Sequence, residues 1–394
     1  MSIKSFVNKE VLFLGGNIIK FDADPIRVYN ILSSLPINNS TLIAMTSIKL
    51  YFSKRKEFLQ IKNIFDNINV NLKIIPRIPF FLFFYLIIYI KINKTKIIHS
   101  FNYFPSIIGI LLKIFTRIKL ICDFGGIIPD ERISSGIWKA NSLKYKISKL
   151  FEKIIVENCD HVIVVSNTFK EYFHDQYKIN SIVIIPSCIN ENRFYFDIEK
   201  RKIMRKRFNL NDKIVVVFSG SFAPWDLSKE IVDYFEKLKN KIPNAHFLIL
   251  TVNKEKILRM VLDRGLKKND FTLLSLTFDK VPEYLLMGDI ALLFRNNSIV
   301  HRVGSPMKFA EYLACGLPII GNDGLGELCK VIEDNKVGAI VDFDNEAKNE
   351  KVINDLLNSI LNERESLRRR CIDLAVKKFS YKRYLNNYLK LYYS

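Results

Sequence analysis

The chain has 394 residues, enough for two domains of ordinary size that each bury a core, and a formal net charge of +20. Its six cysteines, Cys122, Cys159, Cys188, Cys315, Cys329 and Cys371, are scattered without a CxxC pair, which argues against a zinc site or disulfide framework and for a reducing compartment. The amino terminus reads as the approach to a strand rather than as a signal peptide, and the longest apolar run, Ile78 to Ile90, falls short of the roughly 20 residues of a spanning helix.

Short β-branched runs alternate with amphipathic helical patterns, the signature of parallel α/β architecture. In the first half, strands are predicted at EVLFLGG, STLIAMTS, NLKIIP, KIIHSF, KLICDFGG, DHVIVVS and IVIIPS, with helices including Pro25 to Leu35 and Ser142 to Asn158. Asp24 is a candidate cap of the first helix, and Arg27 is expected to point to a cleft or to solvent. Gly15 and Gly16 follow the first strand, where a tight turn and close backbone approach to a ligand are equally good readings.

Residues 51–150 hold 17 Lys and Arg against 5 Asp and Glu, set around the aromatic run Ile78 to Ile90. Such a segment suggests a surface that rests on anionic lipid. Part of the excess is a general bias toward Lys, Ile and Asn. Nucleic acid is the other polyanion to consider, but the excess lies beside an apolar run and not on a recognition helix. The apolar run itself is expected to bury at least half of its side chains.

Between Asn190 and Lys213 charge replaces the apolar pattern, which reads as a linker. A second series then starts, with strands at KIVVVFSGS, AHFLILTV, FTLLSL, IALLF, LPIIG and GAIVD. The closing segment YKRYLNNYLKLYY reads as a helix with aromatic residues three and four apart. Two such units imply a cleft, with ligands at the carboxyl ends of the strands.

The stretch SPMKFAEYLACGLPII, Ser305 to Ile320, reads as a helix between a strand and a strand. Ser305 is expected as N-cap, Pro306 as the first helical residue, and Gly316 as the stop. Free N–H groups at that helix start favour an anion, most simply a phosphate. Lys308 and Glu311, three residues apart, share one face. Lys308 would reinforce the anion, and Glu311 can accept two hydrogen bonds from a vicinal diol. Diphosphate plus diol describes a nucleotide; spacing alone fits equally well a surface pair worth about 0.3 kcal/mol.

This stretch resembles the donor-site motif of GT-B glycosyltransferases of the family 4 (group 1) type, in particular the SPxKxxEY branch met in bacterial surface-polysaccharide synthesis. Ser305, Pro306, Lys308, Glu311, Tyr312, Ala314, Gly316 and Pro318 fall in register. The resemblance implies that Glu311 holds the ribose and Lys308 the diphosphate. Relatives carry a second glutamate eight positions before Glu311; here Val303 stands there, beside His301 and Arg302, so Arg302 or Arg295 is expected as a second phosphate ligand. In GSFAPWD, Gly220 and Ser221 would approach a phosphate, although the basic pair of many relatives is missing. Thr277 and Phe278 are candidates for the base pocket, with a core role the stronger alternative for Phe278.

In the first half, the resemblance implies that Gly15 and Gly16 let the donor approach. In CDFGGIIPDER, Asp123, Gly125 and Glu131 keep the branch's spacing and are candidates for contacting the acceptor or steering catalysis; loop capping is the alternative for Asp123. His99 would reach the same cleft or sit as a satisfied core histidine.

The implied fold is α/β of the GT-B type, two Rossmann-like domains facing a central cleft. Residues 1–195 would form the acceptor domain, completed by a closing helix at about 379–394, and residues 196–378 the donor domain. The implied reaction is transfer of a hexosyl-type sugar from a nucleotide-diphospho-sugar, with retention, to a hydroxyl of a lipid-linked saccharide. The setting would be O-antigen, capsule, exopolysaccharide or lipopolysaccharide synthesis on the cytoplasmic face of the membrane. Lys308, Arg295 and Arg302 would stabilise the leaving diphosphate, with Asp123 near the chemistry and with no metal and no cofactor. The expected partners are the nucleotide-sugar donor, the lipid-linked acceptor and an anionic membrane surface, with no nucleic acid. The alternatives are a nucleotide-sugar epimerase on the same scaffold and a basic protein that binds nucleic acid or an anionic surface.

Overall fold

Each predicted β-branched run forms a strand, and the helices between them return the chain to the same end of the sheet, so the strands pair in parallel. The computed structural model describes residues 11–18, 23–36, 40–222 and 226–393. The amino-terminal residues before Val11, and Ala223 to Trp225 of GSFAPWD, lie outside the described residues. The chain divides into two units. One runs to Cys188 and takes in Val303–Ser305 and the chain from Tyr381 onward; the other comprises Ile189–Arg302 and Pro306–Ser380.

Among the described residues, the first unit holds β1 (Val11–Gly15), β2 (Ser40–Thr46), β3 (Val70–Pro76), β4 (Ile97–Phe101), β5 (Lys119–Asp123), β6 (His161–Val164) and β7 (Ile182–Ile184) in the order β3-β2-β1-β4-β5-β6-β7. The order reverses between β1 and β4, the switch point at which such sheets offer a crevice. β1 and β4 are buried along their whole length, as strands covered on both faces must be. The first helix, Ala23–Ser34, starts early enough that Asp24 lies inside its first turn and not at its cap. Arg27, expected at a cleft or in solvent, is buried. The closing helix, Tyr381–Tyr393, packs Tyr381, Tyr388 and Tyr392 into this unit's interior.

The apolar run forms the helix Pro79–Asn93, but the expectation that at least half of it is buried fails. Leu82, Leu86 and Ile90, spaced by four, supply its buried stripe. Phe80 is 81 % exposed, Phe84 58 % and Ile92 74 %. A helix that is apolar all round has no polar face to turn outward, so whatever the sheet does not cover is hydrocarbon. The neighbouring helix Tyr103–Thr116 meets it through Phe83 and Phe115, with ring centroids 5.4 Å apart, and exposes Ile114 and Phe115. The helix Leu143–Asn158 exposes Leu143, Ile147 and Leu150. Among the described residues no helix is long and apolar enough to cross a membrane.

The second unit holds β8 (Ile214–Ser219), β9 (Ala245–Leu250), β10 (Phe271–Leu274), β11 (Ile290–Leu293), β12 (Ile319–Asn322) and β13 (Gly338–Val341), in the order β10-β9-β8-β11-β12-β13. The order again reverses once, between β8 and β11. The charged stretch expected as a linker is instead a helix over Ile198–Arg207, capped by Asp197. Arg201 donates to one Asp289 oxygen at 2.6 Å and Arg205 to the other at 2.9 Å, all three side chains being buried. Asp289 also accepts the Val215 N–H at the start of β8. The charge that looked solvated is half of an internal ion cluster.

Burial works to raise the Asp289 carboxyl, but Arg201, Arg205 and the Val215 amide overcome it and hold it below its ordinary value. A carboxyl lowered by folding contributes stability above its unfolded value of about 3.9, and that stability is lost as pH falls through the folded value. Asp289→Asn is expected to destabilise the second unit by about 3–5 kcal/mol in urea titrations at pH 7, because two arginines stay buried without their counter-ion. The deficit should shrink in the acid range where Asp289 of the wild type takes up its proton.

Candidate functional site

In the second unit the site is built where β8 ends. The helix Met307–Ala314 is fixed there by Tyr312, whose hydroxyl accepts the Ser219 N–H at 2.8 Å and donates to the Ser219 carbonyl at 3.3 Å. Tyr312 is fully buried, so the helix and the strand end move as one piece. This places Lys308, one turn earlier, over the residues that follow β8. Its ammonium donates to Asp226 Oδ1 at 2.9 Å and lies 4.7 Å from the centroid of Phe218. A Cβ on Gly220 would meet Lys308 Nζ, so the glycine leaves the space in which the lysine's end lies. Ser221 is exposed, and its carbonyl accepts from Asn253.

The helix starts one residue later than expected. Pro306, with extended backbone (φ −66°, ψ 123°), occupies the N-cap position, and no side chain caps the helix. Ser305 is drawn elsewhere: its hydroxyl accepts the Ser187 N–H at 3.2 Å. The expected serine cap is therefore corrected: no side chain caps the start of this helix.

Glu311 lies one residue before Tyr312. Burial pushes its carboxyl up to about 7, with Arg193 and then Lys308 pulling it back only in part. Arg193 comes from NENRF, a segment to which sequence reasoning assigned no chemistry. Its guanidinium carbon sits 3.3 Å from the centroid of Phe278, and its Nη2 donates to the Phe278 carbonyl at 2.9 Å. Phe278 is only half-buried, so the core role favoured for it gives way to that of a platform. Thr277 beside it is exposed. The sequence signal for Arg193 was its place just after the last strand of the first series; nothing local marked it out.

Arg295 lies two residues past β11: its N–H donates to Asn322 Oδ1 at 2.9 Å and its Nη1 to the His301 carbonyl at 3.2 Å. Arg302 is exposed. Val303, at the position of the missing glutamate, is fully buried, and its carbonyl accepts the Ser166 hydroxyl at 2.6 Å. Lys308, Glu311, Gly220 and Phe278 thus share one end of the second unit's sheet, with Asp226 and Arg193 as members that sequence reasoning missed.

In the first unit the acidic candidate is not available to an acceptor. Asp123, at the end of β5, is 0 % exposed; Arg27 Nη2 donates to it at 2.6 Å, and His99 Nε2 lies 3.5 Å from its other oxygen. His99 is equally buried, with Nδ1 2.8 Å from the Tyr392 hydroxyl. Burial raises the Asp123 carboxyl and Arg27 and His99 lower it, with a net shift downward. His99 lies against Tyr388 and Tyr392 of the closing helix and Asp123 is held by Arg27, so the cleft-facing placement expected of both is corrected to a buried polar network. Glu131 packs against Gly126, where a Cβ would strike its carboxylate.

The residue left at the switch point is Asn102, unmarked in the sequence. It follows β4 with φ 63° and ψ −169°, a strained conformation for a residue with a side chain. Its N–H donates to the Asp123 carbonyl at 2.8 Å, its Oδ1 accepts the Gly125 N–H at 3.1 Å, and its Nδ2 donates to Asp24 at 3.0 Å. Gly125 is thereby held in place. Gly15 ends β1 with Leu42 close to where its Cβ would lie, while a Cβ on Gly16 would meet open space.

Residues 199–377 match the family Glycosyl transferases group 1, and residues 52–193 match Glycosyltransferase Family 4. Among curated proteins, the chain is 25 % identical over 162 residues to a GDP-mannose-dependent alpha-(1-6)-phosphatidylinositol monomannoside mannosyltransferase of Mycolicibacterium smegmatis, covering 40 % of this chain and 42 % of that one. It is 26 % identical over 210 residues to a UDP-N-acetylglucosamine--N-acetylmuramyl-(pentapeptide) pyrophosphoryl-undecaprenol N-acetylglucosamine transferase of Bacillus pumilus, covering 49 % and 52 %. The chain thus spans about half the length of these curated relatives. Among solved structures it superposes on Anabaena Alr3699/HepE in complex with UDP with a TM-score of 0.76 at 12 % identity, over 97 % of this chain and 98 % of that one; the likeness is one of fold.

One consequence of the geometry is independent of any substrate. A carboxyl whose value is raised by folding binds its proton more tightly in the native state, so stability falls as pH rises from about 4.3, the unfolded value, to the folded value. For Glu311 that upper limit is about 7. Glu311→Gln is expected to remove this slope and to be the more stable protein at pH 8, as read from thermal midpoints across pH 4.5–8.

Proposed function

We propose that this chain, whose two halves carry a family 4 and a group 1 glycosyltransferase domain in the GT-B fold, moves a sugar from a nucleotide-diphospho-sugar to a hydroxyl of a lipid-linked saccharide, with retention at the anomeric carbon. The observation that carries the reading is Lys308 and Glu311 on one helix beside the Arg193–Phe278 stack. In this reading the donor's diphosphate takes Lys308, its ribose hydroxyls donate to Glu311, and its base lies toward Phe278 and Arg193. Departure of the nucleoside diphosphate builds negative charge, which Lys308 meets, with Arg295 and Arg302 as further cations. The acceptor oxygen attacks the anomeric carbon on the face the diphosphate leaves, and the departing phosphate takes the hydroxyl proton. No metal and no cofactor enter this scheme.

The relatives' names support a lipid-linked acceptor: one acts on a phosphatidylinositol mannoside and the other on a pyrophosphoryl-undecaprenol. Surface-polysaccharide synthesis at the cytoplasmic face of the membrane is the setting that fits such an acceptor. The first unit supplies a matching surface. Phe80, Phe84, Ile88 and Ile92, with Ile114, Phe115, Leu143 and Ile147, form exposed apolar helix faces, and Lys91, Lys94, Arg117, Lys144 and Lys146 are exposed on the same helices or at their ends. Hydrocarbon flanked by cations fits an anionic bilayer.

Two experiments test these readings. In thermal-shift and titration assays with common nucleotide sugars, Lys308→Ala and Glu311→Ala are each expected to weaken donor binding at least about tenfold, equivalent to about 1.4 kcal/mol. Wild-type affinity in both variants would remove the donor-site assignment, and turnover of the donor without an acceptor would point to an epimerase. On vesicles, binding is expected to rise with anionic lipid and fall with salt, and Phe80→Glu combined with Phe84→Glu to weaken it about tenfold or more, since each buried phenylalanine contributes about 1.5–3 kcal/mol. Equal partitioning onto neutral and anionic vesicles would sink the electrostatic part.

A further inference from the structure

Lys308 does not approach its loop unaccompanied. Its ammonium is held by Asp226, whose side chain is only 6 % exposed, at 2.9 Å. The described residues on either side of this loop are constrained. Phe222 has φ 50° while its ring, 3 % exposed, lies 4.2 Å from Phe218, and Leu227, immediately after Asp226, has φ 34°. Both non-glycine residues lie in the left-handed region, against their local preference. Phe218 and Gly220 close in on the same ammonium, and His301 is near enough for the Asp226 charge to act on it. An acidic side chain thus holds the Lys308 ammonium beside the end of β8.

We propose that the Asp226 carboxylate competes with the donor's diphosphate for Lys308 and thereby hastens release of the nucleoside diphosphate product. This inference rests on the reading that Lys308 takes the diphosphate. An ammonium has three donors, so Lys308 can pass to a phosphate while Asp226 keeps one of them, or it can leave Asp226 altogether. In either case a diphosphate is brought against a nearly buried like charge, which repels it.

The repulsion is unequal for substrate and product. In the donor the terminal phosphate is esterified to the sugar. In transfer the bond from anomeric carbon to diphosphate oxygen breaks, the acceptor oxygen bonds to that carbon, and the acceptor's proton passes to the departing phosphate. Once that proton goes on to water, the product carries one more negative charge than the donor did. Asp226 therefore disfavours the product more than the substrate, and Lys308 returns to it as the product leaves.

The test measures binding of inorganic pyrophosphate, UDP and GDP by calorimetry, binding of a nucleotide sugar, and steady-state rates, for wild type and Asp226→Asn, with thermal midpoints confirming the fold. Asp226→Asn is expected to tighten pyrophosphate and the better-bound nucleoside diphosphate about tenfold and the nucleotide sugar by a smaller factor. With it, kcat should fall as product release slows, and KM for the donor should fall too. If Asp226→Asn weakens these ligands or leaves them unchanged, the carboxylate positions Lys308 or is inert, and the inference is overturned. Asp226→Ser serves the same comparison should the asparagine variant not fold. Lys308→Ala separates the two levels. Loss of pyrophosphate binding there, with no gain in Asp226→Asn, ends this inference alone; unchanged pyrophosphate binding in Lys308→Ala ends the diphosphate reading beneath it.

Discussion

The placement of the second unit's candidate site depends on one hydroxyl. Tyr312 bonds both the N–H and the carbonyl of Ser219, the last residue of β8, and in doing so welds the Met307–Ala314 helix to the end of the central strand. A backbone group at a strand's end would otherwise turn to solvent, and a buried tyrosine hydroxyl would otherwise lack a partner. Because the two needs satisfy each other, the residues one turn before and one residue before Tyr312 have their positions dictated. Lys308 must lie over Gly220, and Glu311 must lie in the desolvated layer that raises its carboxyl to about 7.

Much of this was legible in the sequence, and the reasons for the rest are specific. The strands could be read because buried parallel strands are runs of β-branched residues, and the motif helix because a proline and a glycine bracket it. Arg201 and Arg205 were misread because a window of the chain shows charge but not the carboxylate that faces it: Asp289 lies 88 and 84 residues away in sequence. A dense run of Lys and Arg therefore looked like solvated linker, when its helical period turns two arginines inward. Arg193 and Asp226 escaped notice for the same reason. Each acts through a partner, Phe278 or Lys308, that only folding brings near.

Asp123 and His99 show the opposite error. Both sit where a strand ends, which is where ligands meet such sheets, and their types suit acid–base work. What no local pattern discloses is that a segment nearly 300 residues later closes over them: Tyr392 is 293 residues from the His99 it bonds. Asp123 and Arg27 are buried together as an ion pair beside His99, so each charge offsets the other's desolvation, and the closing helix covers the histidine end of the group. The first unit is thus completed by the last residues of the chain.

Gly220 has a consequence for how this protein can vary. The space that its missing Cβ leaves is filled by the end of a lysine that enters from another helix. A side chain at 220 would require the end of that lysine to shift, while a smaller residue at 308 would leave room for it. The two positions are therefore coupled: a change at 220 is felt first in where the Lys308 ammonium can lie.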